Sequence, residues 1–163
     1  MSGSFPKSTG QIPIFYSDRI SGRPEEDVYL DSDSKPLFPF GYGLSYSKFE
    51  YSKLQISSNT IDKNGTLEVS VNVTNKGAFD GKEVVQLYVH DKVASVTRPQ
   101  KELKNFSKIL IKKGETKTVK FNLKAQELAF YDLDYKKIIE PGEFDLWVGG
   151  SSEDLQHTTF WVK

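Results

Sequence analysis

The chain predicts an all-β fold, an antiparallel sandwich or barrel, on three observations. From Lys48 onward apolar side chains recur with period two, as in strands that bury one face. Turn residues punctuate that pattern roughly every 8–12 residues. No stretch sustains the recurrence of a long helix. The 163 residues suit one domain plus an extension, and a chain of this length buries about two thirds of its unfolded surface.

Residues 1–35 are rich in Ser, Asp, Gly and Pro, with one short apolar run, Ile12-Pro13-Ile14-Phe15-Tyr16, that cannot close a core alone. Five acids and no base lie between Glu25 and Asp33, which reads as a solvated loop. Asp31 and Asp33 have calcium-loop spacing. Lys35, however, stands where a third oxygen ligand belongs and Pro36 where the turn glycine belongs, so that reading is rejected. Then comes Pro36 to Tyr46, PLFPFGYGLSY. Pro36 and Pro39 fix φ and lack an N–H donor, which suits neither a helix interior nor a central strand. Leu37, Phe38, Phe40, Tyr42, Leu44 and Tyr46 carry too much apolar surface for a free linker. Residues 36–47 read as an extended, irregular strap lying across another surface.

The strands follow in order. Phe49 and Tyr51 alternate, then Leu54 and Ile56 in the opposite phase, so a bulge or a change of sheet is expected between them. Asn64-Gly65 signals a hairpin turn. Leu67, Val69, Val71 and Val73 share one face against Glu68, Ser70, Asn72 and Thr74, and Asn75-Lys76-Gly77 ends the strand. Val85, Leu87 and Val89 form the apolar phase of the next, with Val84, Gln86, Tyr88 and His90 expected on a wet side. A ten-residue loop runs from Asp91 to Gln100. Leu103, Phe106, Ile109 and Ile111 read as a broken strand, and Val119, Phe121 and Leu123 as a clean one. Ala125 to Leu128 suits a helical turn. Phe130-Tyr131 and Lys137 to Ile139 are short strand candidates, and Phe144/Leu146/Val148 and Phe160/Val162 close the series.

Composition excludes several functions. Lysine plus arginine equals aspartate plus glutamate at 22 each, which argues against nucleic-acid binding. No apolar run approaches the roughly 20 residues of a membrane span, and Met1 to Lys7 lack a signal-peptide pattern. Without cysteine there are no disulfides or thiolate metal sites, though this does not choose a compartment. His90 on a polar strand phase and His157 in a loop make a poor metal pair. The acids fall in turns or on outward phases, so no pair is expected to split its pKa values for acid–base work. No catalytic, cofactor or metal residue is assigned. Trp147 and Trp161 fall opposite the aliphatic phases and are expected outward, as an interface cover or as a platform for a glycan.

PLFPFGYGLSY, with Phe49 and Tyr51 after it, closely resembles the segment entering the C-terminal fibronectin type III-like domain of glycoside hydrolase family 3 enzymes, mostly β-glucosidases. GQIPIFY at Gly10 to Tyr16 and SGRP at Ser21 to Pro24 resemble that family's exit from its second catalytic domain, although Ser17-Asp18-Arg19 departs from the usual tripeptide there. Downstream, the resemblance runs through Ser95 to Pro99, Lys101-Glu102-Leu103, Lys113 to Thr116, Tyr131-Asp132 and Glu140-Pro141-Gly142. It implies an immunoglobulin/fibronectin type III-like antiparallel β-sandwich over residues 48–163. It also implies that residues 1–35 are the tail of a preceding catalytic domain and its linker. The implied role is non-catalytic, with partners in the catalytic domains of a parent glycosidase, because the family's nucleophile and acid/base come from upstream domains. Leu37, Phe38, Phe40, Tyr42 and Tyr46 would make the interdomain contact, and Ser95, Thr97 and Arg98 a loop at the rim of the catalytic cleft. The isolated chain is therefore expected to release no chromophore from aryl β-glucosides, and turnover above a buffer blank would overturn this.

Overall fold

The computed structural model describes residues 3–12, 14–19 and 34–163. The acidic run to Asp33, with both aspartates of the rejected calcium loop, and Ser21 to Pro24 lie outside them. The alternating stretches form strands β1 Phe49–Ile56, β2 Thr60–Ile61, β3 Thr66–Asn75, β4 Gly81–Asp91 and β5 Glu102–Ile111. They are followed by β6 Thr116–Lys124, a single 3-10 turn Ala125–Leu128, β7 Phe130–Tyr131, β8 Lys137–Ile138, β9 Gly142–Gly149 and β10 Leu155–Val162. One sheet has the order β1-β3-β6 and the other β2-β10-β9-β4-β5, with β7-β8 as a separate small hairpin. Pairing is antiparallel except where β2 runs parallel to β10. This is a β-sandwich rather than a closed barrel.

The core lies between the two sheets. Val69, Val71 and Val73 of β3 face Val85 and Leu87 of β4 and Leu146 and Val148 of β9, all fully buried. Phe144 and Phe160 stack in the same layer with ring centroids 5.5 Å apart. The phase slip in the first strand is a bulge: β1 stays paired with β3 throughout, and the register shifts between Ser52 and Gln55. Lys53 takes the positive φ of 52° there.

Three expectations change. Asn64-Gly65 does turn the chain, with the Gly65 amide donating to the Asp62 carbonyl at 2.7 Å. It does not make a hairpin, because β2 pairs with β10 while β3 pairs with β1 and β6. The broken strand at Leu103 is one continuous strand, β5, whose register slips by a bulge opposite Leu87/Tyr88. The slip puts Leu103 in phase with Phe106, opposite the outward Tyr88 and Gln86; beyond it plain alternation turns Phe106 outward, 65% exposed, and Ile111, five residues on, fully inward. The wet side expected for β4 is instead covered, since Gln86 is 3% exposed and Tyr88 0%.

One polar residue ties one end of the sandwich together. Asn75, fully buried, donates from its amide to the carbonyls of Phe79 (2.8 Å) and Ile111 (3.0 Å) and accepts from the Gly77 N–H at 2.9 Å. Its backbone bonds Glu115 and Gly114 as well, so one side chain joins the β3–β4 and β5–β6 connections. Gly77 allows β1 to start against this turn, because a Cβ there would sit 2.6 Å from Ser47 Cα. Asn75→Leu strips the buried Ile111 carbonyl of its side-chain donor and frees the part-buried Phe79 carbonyl and Gly77 N–H, and Asn75→Asp sets a carboxylate against two carbonyls. Each should cost about 2–4 kcal/mol, read in urea unfolding as a lower midpoint at unchanged slope.

Candidate interdomain surface

The outer face of β4 presents Gln86 and Tyr88, opposite in phase to the core valines. Onto Tyr88 packs Tyr16, edge-on at 5.6 Å, and onto Tyr16 stacks Phe40 of the strap at 4.2 Å. Such ring pairs add roughly 0.5–1.5 kcal/mol beyond the area they bury. Gln86 donates to the Gly150 carbonyl at 2.7 Å and the Gly41 carbonyl at 3.3 Å, and accepts the Tyr88 hydroxyl proton. Burial raises the Tyr88 pKa above the usual phenol value, which keeps that proton in place. Gly41 has φ +79°, and a Cβ on it would sit 2.2 Å from the Gln86 amide oxygen, so the crossing demands glycine. The Ser152 N–H donates to the Phe40 carbonyl at 2.9 Å.

The N-terminal segment is pinned in the same way. Gln11, 7% exposed, donates to the carbonyls of Ser34 and Lys35, both at 3.1 Å, and accepts from the Lys7 N–H at 2.6 Å. The Phe5 N–H donates to the Phe38 carbonyl at 2.9 Å and the Leu37 N–H to the Phe5 carbonyl at 2.8 Å. At the far end Gln100 N–H donates to the Asp18 carbonyl at 2.8 Å.

The strap thus has an anchored side and a bare side. Of the residues expected to make interdomain contact, Phe38 and Phe40 are half-buried, while Leu37, Tyr42 and Tyr46 are 54%, 51% and 94% exposed. Phe38 stacks on Tyr42 at 5.0 Å and meets Phe5 edge-on at 6.3 Å. These rings, with Gly3, Pro39, Gly41 and Leu44, line an apolar groove of about 340 Å³. Sequence reasoning missed Phe5 and Tyr16, which gave no signal beyond one short apolar run. Tyr88 did give one, since Val84 and Tyr88 add apolar surface to the second phase of β4, as in a strand covered on both faces.

The ten-residue loop brings Ser95, Thr97 and Arg98 to one place. Arg98 donates to Glu102 and lies 4.7 Å over the Phe130 ring. The Ser95 N–H donates to Glu140 at 2.8 Å, and His90 Nδ1 lies 2.7 Å from the Pro99 carbonyl oxygen. Trp147 and Trp161 both face outward but do not meet. Trp147 is half-buried, tilted on His157 at 5.3 Å with the Lys101 ammonium 5.6 Å from its ring. Trp161 is 53% exposed and lies four residues along β10 from the Trp147 partner, about 14 Å away by strand rise. His157 belongs to β10 rather than to a loop, its Nε2 2.7 Å from Asp145 Oδ1.

Two acids depart from the expectation of solvation. Glu83 and Asp91 end the inward-facing row of β4, in phase with Val85, Leu87 and Val89. Glu83 is half-buried and accepts from the Tyr51 hydroxyl at 2.6 Å. Asp91 is 7% exposed and accepts from the Val93 N–H at 3.2 Å. Burial holds both carboxyls above the usual range, against the lowering effect of those hydrogen bonds. The parity of β4 was the available signal. Among the described residues no group of three or more His, Asp or Glu could hold a metal ion.

Two stacked sheets define a fibronectin type III-like fold, and a family model for the fibronectin type III-like domain matches residues 83–152. The chain is 48% identical over 166 residues to a β-xylosidase of Formosa agariphila, covering 98% of this chain and 22% of the relative. It is 42% identical to the periplasmic β-glucosidase of Salmonella typhimurium, again over 22% of that protein and 96% of this one. A solved β-glucosidase from Erythrobacter marinus superposes with a TM-score of 0.89 at 39% identity, over 98% of this chain and 21% of that one. The chain belongs to the fibronectin type III-like domains of glycoside hydrolase family 3, and spans about a fifth of the length of the relatives it matches.

The Glu83 carboxyl yields a pH prediction. Its folded-state pKa is raised, so the native state holds the proton to higher pH than the unfolded chain does. Stability therefore falls as pH rises from the ordinary carboxylate range, about 4. Glu83→Gln keeps an acceptor for Tyr51 without the charge. It should raise the melting temperature at pH 7, and that advantage should shrink towards pH 4 in a thermal-unfolding pH series.

Proposed function

We propose that the chain is the non-catalytic accessory domain of a family 3 glycosidase that removes terminal β-D-glucosyl residues. It docks on its parent's catalytic domains through the strap and stabilises them. The observation that supports this reading is the strap's asymmetry. Its inner side is fixed by Tyr16, Tyr88 and Gln86, while Leu37, Tyr42, Leu44 and Tyr46 stay at least half exposed. Contiguous apolar surface of this kind marks an interface. Each large side chain that becomes fully buried contributes roughly 1.5–3 kcal/mol.

On this reading residues 1–35 are the tail of the catalytic part and its linker, 36–47 the clamp, and 48–163 the buttress. Ser95, Thr97 and Arg98 then sit on a loop available to the rim of the cleft, at the end of the sandwich where the Arg19–Pro99 bridge ties the N-terminal segment down.

The test compares two contexts. Tyr42→Ser, Leu44→Ser and Tyr46→Ser together should cost the isolated chain no more than about 0.5–1.5 kcal/mol, the worth of the Phe38–Tyr42 ring pair, since exposed Leu44 and Tyr46 tolerate change. In the full-length enzyme the same triple change should lower the unfolding temperature of the catalytic part by several degrees and hasten proteolysis near residue 36. Equal effects in both contexts, or none in the enzyme, would exclude the clamp.

A further inference from the structure

At the end of the sandwich away from Asn75, the loop after β4 and the β7–β8 hairpin enclose an open groove of about 680 Å³. Arg19, Thr97, Arg98, Tyr131, Asp132 and Leu133 are among the residues that line it. We propose that this groove is a binding site for a neutral glycan, a short β-linked gluco- or xylo-oligosaccharide. The proposal concerns this chain alone and does not depend on the clamp.

A pyranose ring has an apolar face of C–H groups and a rim of hydroxyls, so it asks for an aromatic or aliphatic floor beside fixed hydrogen-bonding groups. Tyr131 and Leu133 are 65% and 83% exposed, though both belong to a built hairpin. Phe130 is buried beside them, and Asp132 accepts the N–H groups of Asp134 (2.9 Å) and Lys136 (2.8 Å) to hold the turn. The opposite wall is equally fixed. The Arg98 guanidinium is held by Glu102 and by the Phe130 ring, and its Nε, buried, has no hydrogen-bond partner. A guanidinium locked on one side presents its remaining donors without further loss of rotamer entropy.

Charge selects a neutral ligand. The two arginines are matched by Glu102 on Arg98, by Asp132 in the lining and by Asp91 and Glu140 close behind. An anion would meet those carboxylates. A purely apolar ligand would leave Thr97, Asp132 and the arginine donors without partners. A polyol uses both the floor and the walls.

The experiment titrates the 163-residue chain with cellotriose and with xylotriose, followed by saturation-transfer NMR and by calorimetry. The expected result is saturable binding to the native chain by at least one trisaccharide. Tyr131→Ala should weaken it about tenfold, the loss of one stacking platform, with the unfolding midpoint unchanged. Tyr131→Phe should retain it, and Trp161→Ala should have no effect. Binding lost in Trp161→Ala but intact in Tyr131→Ala would overturn the assignment in favour of the sheet face. No saturable signal with either sugar up to the tens of millimolar would overturn it outright.

Discussion

The arrangement rests on Tyr16 lying between Tyr88 and Phe40. Without that ring the outer face of β4 would expose a phenol and an amide beside the edge strand of a five-stranded sheet, and the strap would have nothing flat to lie on. With it, the sheet gains a third layer made of irregular chain rather than of strands. The layer holds because its backbone groups find partners. Gln86 and Gln11 act as adaptors, each amide bridging segments that share no ladder. Buried irregular backbone is tolerable only under such pairing.

That layer separates two kinds of apolar residue that look alike in sequence. Phe40 and Tyr16 face inward and complete the domain, whereas Tyr42 keeps one stacked ring, Phe38, and Leu44 and Tyr46 stay about nine-tenths exposed. The strap's proline and glycine spacing makes this possible, since Gly41 at positive φ reverses the path just after Phe40. One short peptide thereby contributes to the stability of its own sandwich and keeps an apolar edge for another surface.

Much of the sandwich was legible because strand parity is a strict code. The faces of β3, β6, β9 and β10 follow directly from alternating Val, Leu and Phe, and the phase slip in β1 announced its bulge. Local pattern failed where partners lie far away in sequence. Nothing around Asn64-Gly65 says that β2 will join β10 across about a hundred residues. Nothing near Leu103 says that a bulge will bring it into phase with Phe106 on the outer face. The strap's residue set was visible as composition, but which of its rings would be covered depended on Tyr16, some twenty residues upstream. The buried carboxylates are legible in strand phase, because Glu83 and Asp91 share the parity of the β4 core row, although their chemical type alone points to solvent. The groove beside Arg98 is not, since it exists only once the loop after β4 and the β7–β8 hairpin stand side by side.

The strand order has a consequence for biosynthesis. β3 pairs with β6, joining Thr66 to Lys124 and Thr74 to Thr116, so the three-stranded sheet cannot close until the intervening two strands of the other sheet have been made. Non-local closure of this sort is slow. On the ribosome, the valines of β3 must therefore wait, unpaired on one edge, for some forty to sixty further residues to emerge. The polar alternation of Glu68, Ser70, Asn72 and Thr74 then serves the nascent chain as well as the finished one, keeping a waiting strand soluble on its second face.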